Sequence, residues 1–160
     1  MPKFLIAMKL NLPPFELKVK KQNNKNYVFD RLRKQFMRLT PEEFVRQHFI
    51  NFLIEHKHYP EALMANEVVI EVGNLSKRCD TVLYDRLMNP VLVAEYKSPT
   101  VEITQETFNQ IVLYNTTLQV PWLIVSNGLQ HFCCKIDYEN GAYRFMPEIP
   151  NYQDLIIKIK

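Results

Sequence analysis

The chain has 160 residues, of which 47% are hydrophobic and 23% are charged, so it is long enough for one domain with a hydrophobic core. A formal net charge of +3 allows nucleic acid as a partner without requiring it, since phosphate binding needs a clustered patch. Three cysteines, Cys79, Cys133 and Cys134, have neither metal-ligand spacing nor the even number of a disulfide framework. No signal peptide and no membrane-spanning apolar run is recognisable. We therefore expect a cytoplasmic protein with no membrane partner.

The first 39 residues differ in composition from the rest of the chain. Two adjacent prolines precede a stretch rich in lysine and asparagine, which predicts an N-terminal arm with a hairpin at residues 22–25. A domain at residues 40–160 is expected to follow. The lysines of the arm have two interpretations, as the charged edge of a strand or as a contact with nucleic acid. These lysines are Lys18, Lys20, Lys21 and Lys25.

Helix and strand patterns alternate after residue 39. Thr40, Pro41 and Glu43 form an N-cap, a first-position proline and a capping box, which predict a helix to about residue 57. A second helix is predicted at 104–118. Short turns between the next segments favour antiparallel pairing of adjacent strands. The order predicts an α/β fold with a central mixed sheet flanked by helices. Its strands are predicted at 66–72, 77–85, 91–98, 122–126, 131–138 and 143–146.

Charged residues end an otherwise apolar strand. Glu95 and Lys97 follow the run VLVA and share a face, since residues two apart on a strand point the same way. Asp80 lies on the preceding predicted strand, where antiparallel pairing would bring it opposite Glu95. Two close carboxylates repel each other unless a cation lies between them. Mg²⁺ suits such ligands, and an adjacent lysine can hold a nucleophilic water and stabilise developing negative charge.

A less specific interpretation of the same residues stays open. Glu95 and Lys97 would then be a surface ion pair, and Asp80 would only end a turn. An acid two residues before a lysine is common by chance. The position after an apolar strand, and an acid on the neighbouring strand, favour the metal site.

Several segments resemble one family. Asp80 followed after fourteen residues by Glu95-Tyr96-Lys97 is similar to the PD-(D/E)XK nuclease motif, with Cys79 at the variable position of the motif's proline. Together the segments resemble the N-terminal nuclease region of type I restriction enzyme R subunits over about residues 38–152. The segments are TPEEFVRQ (40–47), KRCDTVLYD (77–85), VAEYKSP (93–99), QIVLYN (110–115) and IVSNG (124–128).

This resemblance implies a restriction-endonuclease-like fold, with helix, three strands, helix and two strands in that order. It implies Asp80 and Glu95 as ligands of Mg²⁺, with Mn²⁺ as an alternative ion, and Lys97 as the catalytic lysine. Gln110 and Tyr114 resemble a Q-x-x-x-Y element, which implies that they border the active site and contact the DNA backbone. Without the resemblance, these two residues would be interpreted as a polar flank of the second helix.

The first helix offers a third acid. Counting 100° per residue puts Glu42 at the edge of the apolar stripe and Glu43 on the far side. Glu42 is therefore the predicted third metal ligand, and an ion pair with Arg46 is an equally good use for it.

The leading hypothesis is a Mg²⁺-dependent DNA endonuclease domain that works alone or with separate specificity and motor subunits. No G-x-x-x-x-G-K segment is present, so the sequence indicates no P-loop and no motor of its own. The alternatives are a non-catalytic member of the same fold that binds nucleic acid or a partner protein, and an enzyme that cleaves RNA.

Overall fold

Two sheets and three α-helices make up the fold in the computed structural model, which describes residues 8–156; residues 1–7, at the start of the predicted arm, and residues 157–160 lie outside the described part. The helices are α1 (Pro41–Lys57), α2 (Gln105–Thr116) and α3 (Tyr152–Ile156), with a 3₁₀ turn at Glu61–Leu63. The strands are β1 (Val19–Gln22), β2 (Lys25–Asp30), β3 (Gln35–Arg38), β4 (Met64–Val72), β5 (Leu75–Tyr84), β6 (Pro90–Tyr96), β7 (Trp122–Ser126), β8 (His131–Asp137) and β9 (Ala142–Phe145).

Helix α1 begins and ends where its sequence signals place it. The Thr40 hydroxyl accepts a hydrogen bond from the Glu43 backbone N–H at 3.0 Å, which satisfies one of the free donors of the first turn. At the other end His58 adopts φ 61°, and its backbone N–H donates to the Leu53 carbonyl, as in a left-handed helix cap. The predicted helix to residue 57 is confirmed.

The larger sheet has six strands in the order β4-β5-β6-β7-β8-β9. Strands β6 and β7 are parallel, and the other neighbours are antiparallel. Helix α2 lies in the connection between β6 and β7, because parallel neighbours need a crossover. The predicted mixed sheet, with antiparallel pairing among its first three strands, is confirmed.

The two long helices cover opposite faces of this sheet. On the α1 face, Phe49 packs in one buried cluster with Leu92 and Ile124. On the α2 face, Phe108 packs in a second cluster with the next residues along the same strands, Val93 and Val125. Because side chains alternate along a strand, the central strands β6 and β7 are buried on both faces. Among residues 8–156, none of the helices has the length and apolar content to cross a bilayer.

The N-terminal segment forms a three-stranded antiparallel sheet, β1-β2-β3. Its first turn is the hairpin at residues 22–25, with Gln22 opposite Lys25 and positive φ at Asn23 and Asn24. Val28 of this sheet is buried with Phe44 of α1. The strand β3 was not predicted, and the division of the chain at residue 39 into two domains stays a prediction.

A buried carboxylate joins the small sheet to the large one. Asp30 is fully buried and accepts hydrogen bonds from Asn66 at 3.0 and 3.1 Å and from the Arg33 guanidinium. Asn66 in turn accepts a 2.6 Å hydrogen bond from the Thr81 hydroxyl of β5. Burial by itself would raise the pKa of Asp30, but the hydrogen bonds from Arg33 and Asn66 hold that pKa below its usual value.

This connection predicts a pH-dependent loss of stability in Asp30→Asn. The lowered pKa means that the Asp30 charge stabilises the folded chain above the unfolded pKa of about 4 and loses this effect as the pH falls through the folded value. We expect Asp30→Asn to lower the free energy of unfolding at pH 7 by about 2–4 kcal/mol, and by less at pH 3. Urea denaturation at both pH values measures the difference. The exposed Asp154→Asn is the control, and equal stability of wild type and Asp30→Asn at pH 7 would contradict the prediction.

Candidate active site

Strands β5 and β6 bring Asp80 and Glu95 together. Thr81 pairs with Ala94 in the antiparallel register, so the next position on each strand places Asp80 beside Glu95. The Asp80 carboxylate accepts a 2.8 Å hydrogen bond from the Tyr96 backbone N–H. This bond holds Asp80 against the end of β6, where the apolar run of that strand finishes. The proximity predicted from alternation and the short β5–β6 turn is therefore present.

The surroundings of Glu95 disfavour its ionisation. Burial raises the pKa of Glu95 to about 7, and the neighbouring Asp80 carboxylate adds to this rise by repulsion. A protonated Glu95 would also donate a hydrogen bond to Asp80. Only Lys77 acts in the opposite direction, by attracting the ionised form of Glu95. The site thus carries more negative charge than its surroundings neutralise near neutral pH.

Lys77 is a site residue that the sequence analysis missed. Its Nζ lies 2.5 Å from Glu95 Oε1, and the two side chains are only 13% and 14% exposed. The same ammonium lies 4.6 Å from the centre of the Tyr114 ring on α2. Lys77, on β5, is therefore joined to β6 by its ion pair with Glu95 and to α2 by its cation–π contact with Tyr114.

A local irregularity in the sheet explains why Lys77 was missed. Lys77 and Asp80 are three residues apart, so regular alternation would place them on opposite faces. The pairing of β4 with β5 is interrupted between Asn66↔Thr81 and Val68↔Cys79, at the position where Asp80 would face Glu67. Glu67 has φ 57°, a left-handed conformation that costs energy in a residue other than glycine. The distortion lies beside the site, and it accompanies the approach of both side chains to Glu95.

Lys97 is placed differently from Lys77. It follows the last residue of β6 and is half-buried, and its backbone N–H donates to the Ser126 carbonyl at 2.8 Å. This bond extends the β6–β7 pairing by one residue. Within the described part of the chain, the salt bridge to Glu95 comes from Lys77 and not from Lys97.

Of the two acids in its first turn, helix α1 directs Glu43 inward and not Glu42. Glu42 is exposed, so the prediction that it reaches inward is wrong. Glu43 is buried and binds Arg33 at 2.9 Å and Gln47 at 3.0 Å. Helical counting found the stripe that faces the large sheet. It missed Glu43 because the N-terminal sheet, through Arg33, covers a second side of α1.

A buried arginine stands on the α1 face of β6. Arg46 is 6% exposed and binds Glu67 at 2.6 Å, so it also stabilises the distorted residue of β4. Its guanidinium carbon lies 5.9 Å from the centre of the Tyr96 ring. Arg46 therefore links α1 to β4 through Glu67 and to β6 through Tyr96, the backbone donor to Asp80. It acts as support behind the carboxylates.

Of the two polar residues predicted on α2 to border the site, Tyr114 contacts a site residue and Gln110 does not. Tyr114 is 53% exposed and reaches the site through its contact with Lys77. Gln110 is exposed one turn earlier, and the structure brings it into contact with neither Asp80 nor Glu95. Their predicted contacts with DNA stay predictions.

The donor set suits a hard cation. Two carboxylates lie side by side, and a cation between them would reduce the repulsion that contributes to the raised pKa of Glu95. No group of three or more His, Cys, Asp or Glu residues that could hold a metal occurs within residues 8–156. Backbone carbonyls and water would have to complete a coordination shell, as they commonly do for Mg²⁺.

Comparison with known proteins decides the family. The profile described as "Type I restriction enzyme R protein N terminus (HSDR_N)" matches residues 41–150. The chain belongs to this family. The match begins at the first residue of α1 and ends after β9, so it includes Asp80, Glu95, Lys97 and the six-stranded sheet. The resemblance found in the sequence is thereby confirmed.

One solved structure has a fold similar to that of this chain. It is a fragment described as an HsdR subunit of a type I restriction enzyme from Vibrio vulnificus YJ016, with a TM-score of 0.52 and 19% sequence identity. The match covers 74% of this chain and 25% of that chain. The chain thus corresponds to about a quarter of that relative. A search of curated proteins finds no match.

The repulsion in the site predicts that Glu95→Gln stabilises the metal-free protein. Because folding raises the pKa of Glu95 from 4.5 to about 7, ionised Glu95 destabilises the folded state above pH 7, and the effect disappears below about pH 4, where both states are protonated. At about 1.4 kcal/mol per pKa unit, we expect a gain of roughly 1–3 kcal/mol at pH 8. Chemical denaturation in EDTA at pH 8 and pH 4 measures it. A variant that is less stable than wild type at pH 8 would show that the ion pair with Lys77 outweighs the repulsion.

Proposed function

We propose that this chain is a metal-dependent DNA endonuclease domain that hydrolyses phosphodiester bonds. The observation that carries the proposal is the adjacent pair of carboxylates, Asp80 and Glu95, in which burial and then repulsion by Asp80 raise the pKa of Glu95 to about 7. A fold does not normally keep two partly buried like charges together without a use for them. Membership of the type I R-protein N-terminal family supports a nuclease site as the use of this carboxylate pair.

The proposal includes a restriction-endonuclease-like fold. In its support, α1 is followed by the meander β4-β5-β6, then by α2 and β7-β8, which is the order expected from the sequence resemblance. The acids lie on the second and third strands of the meander. The N-terminal sheet and the strand β9 would be additions around that arrangement.

Asp80 and Glu95 would hold Mg²⁺, or alternatively Mn²⁺. When bound, the ion would lower the pKa of a coordinated water and neutralise charge on the phosphate. Glu42 is not included among the ligands, because its side chain is exposed. In the metal-free chain Lys77 supplies a positive charge at 2.5 Å from Glu95. We expect this ion pair to break when a divalent ion binds to Glu95.

The remaining residues would position the substrate and stabilise charge. Lys97 follows Glu95 by two residues at the half-exposed end of β6, where its ammonium can orient an attacking water and stabilise the negative charge that develops on the phosphate. Tyr114 is exposed beside Lys77 and would contact the DNA backbone. Gln110, one turn earlier on the same helix, would extend that contact.

A second candidate function has its own supporting observation. The salt bridge between Lys77 and Glu95 already neutralises one of the two carboxylates, as in a structural ion cluster. The chain would then be a non-catalytic member of the fold that binds nucleic acid or a partner protein. Metal binding separates the two candidates, because an ion cluster of this kind has no need of a divalent ion.

The proposal extends to partners of the intact system. The matched region covers about a quarter of the Vibrio vulnificus relative, so any motor activity would lie outside the part that corresponds to this chain. We propose that DNA is the substrate and that separate specificity and motor subunits deliver it. Cleavage by the chain alone is then expected to be slow and not sequence-specific.

The proposal predicts that Asp80→Asn weakens the binding of Mn²⁺ by at least about tenfold, because the change removes one charged oxygen ligand. Isothermal titration calorimetry at pH 8, where Glu95 is mostly ionised, measures the affinity. The matched control is Asp137→Asn, which changes the net charge equally at the exposed last residue of β8. Equal affinity of wild type and Asp80→Asn would remove Asp80 from the metal site.

The proposal also predicts that Lys97→Ala loses most cleavage while it keeps its fold and metal affinity. An ammonium is not a ligand for Mg²⁺, and losing one electrostatic contact with the transition state typically costs about 100- to 1000-fold in rate. The assay is cleavage of plasmid and single-stranded DNA with Mg²⁺ or Mn²⁺. The control is Lys135→Ala, whose lysine lies over Trp122 at the other end of the β6–β7 pair.

Undiminished cleavage by Lys97→Ala would show that the proposed mechanism is wrong. An RNA substrate in the same assay distinguishes the remaining alternative, an enzyme that prefers RNA.

A further inference from the structure

The outward face of the N-terminal sheet alternates basic and aromatic side chains. Residues directly opposite each other across antiparallel strands share a face. Lys20 pairs with Tyr27, and Tyr27 pairs with Arg38, which makes one row across all three strands. Phe29 pairs with Phe36 in the next row. The inward face is the one that carries Val28 and Asp30, both fully buried.

Lysine side chains lie on the aromatic rings of this face. Lys20 Nζ is 4.2 Å from the centre of the Phe36 ring. Lys18 Nζ is 5.1 Å from the centre of Phe29 and 5.8 Å from that of Phe36, and the two rings meet edge to face with centroids 5.4 Å apart. The rings are half-buried and the lysines are exposed. Positive charge and aromatic surface are thus presented together.

The charge of this face is not compensated within the sheet. Asp30 is the only acid between residues 18 and 38, and it is turned inward and bound to Arg33. The basic residues of the β2–β3 turn have acidic partners, since Arg31 binds Glu55 and Lys34 lies 3.7 Å from Glu61. Among the described residues, no ion pair is recorded for the basic residues of the outward face or for the β1–β2 hairpin. These are Lys18, Lys20, Lys21, Lys25 and Arg38.

We propose that this face, defined by Lys18, Lys20, Tyr27, Phe29, Phe36 and Arg38, binds single-stranded nucleic acid. The ammonium and guanidinium groups would contact phosphates, and the rings would stack on bases after the lysines move from them to the phosphates. Aromatic residues interleaved with basic ones on an open sheet suit single strands, because unpaired bases expose their flat faces. A duplex offers its phosphates to the same surface and keeps its bases stacked on each other.

This site is separate from the carboxylate pair and deepens the proposed function by naming a class of substrate. It rests on the nuclease proposal only for its purpose, since a surface that holds a single strand would keep DNA bound to the domain that carries the acids. Binding itself requires no metal. Measurements in EDTA therefore test this face without depending on cleavage.

The test is fluorescence anisotropy of a labelled oligothymidine and of a labelled duplex with the 160-residue chain in EDTA at low salt. We expect the single strand to bind more tightly than the duplex. Phe36→Leu, which keeps apolar bulk but removes the stacking surface, should weaken binding of the single strand by roughly 5- to 150-fold. Lys20→Gln should also weaken binding of the single strand. The plot of log K against log salt should become less steep by about 0.7, the value for one phosphate contact.

The matched control is Lys34→Gln, which makes the same charge change in the β2–β3 turn, at a lysine paired with Glu61. It should leave affinity within about twofold, and circular dichroism should show every variant folded. Three results would each overturn the proposal: no binding of the single strand at low salt, equal effects of Lys20→Gln and Lys34→Gln, or a neutral Phe36→Leu with equal affinity for duplex. Binding of the single strand without any cleavage would support the proposed binding face and would count against the nuclease proposal alone.

Discussion

The repulsion between Asp80 and Glu95 is the constraint on which the rest of the site depends. Antiparallel pairing of β5 with β6 forces the two acids together, and their burial makes ionisation of Glu95 unfavourable. Two contacts compensate this charge, the backbone N–H of Tyr96 bound to Asp80 and the ammonium of Lys77 bound to Glu95. A divalent cation bound between the two acids would compensate it further, which is the basis of the proposed metal site.

The N-terminal sheet supports this arrangement from behind. Asp30 binds Asn66, and Asn66 binds Thr81, the residue next to Asp80. A second route runs from Arg33 through Glu43 to Arg46, and Arg46 binds the distorted Glu67. The arm is therefore bound to the large sheet by buried polar contacts as well as by apolar packing. Such buried networks are sensitive to the loss of one member, because the partner that remains is left unsatisfied.

Features with local causes were predicted well from the sequence. The capping residues Thr40 and Glu43 act within one turn of helix, and the short turn between β5 and β6 places their strands side by side, so the meeting of Asp80 and Glu95 followed from alternation alone. The family could be recognised from the same segments.

Features with non-local causes were not predicted. Lys77 reaches Glu95 beside the irregular residue Glu67 of β4, and no pattern within β5 indicates that. The choice between Glu42 and Glu43 depended on Arg33, ten residues before Glu43, which covers a second side of α1. The alternation of basic and aromatic residues on the N-terminal sheet also needed the register of three strands, including β3. Contacts set by tertiary packing override the preferences of a single element.

The most direct test of the central claim is anomalous diffraction from crystals soaked in Mn²⁺ at a pH above 7, where Glu95 is mostly ionised. The proposed site predicts one strong peak within about 2.0–2.6 Å of carboxylate oxygens from both Asp80 and Glu95, with Lys77 moved away from Glu95. Saturating Mn²⁺ that gives no peak there, while the Lys77–Glu95 ion pair stays intact, would contradict it and leave the two acids as part of a structural ion cluster.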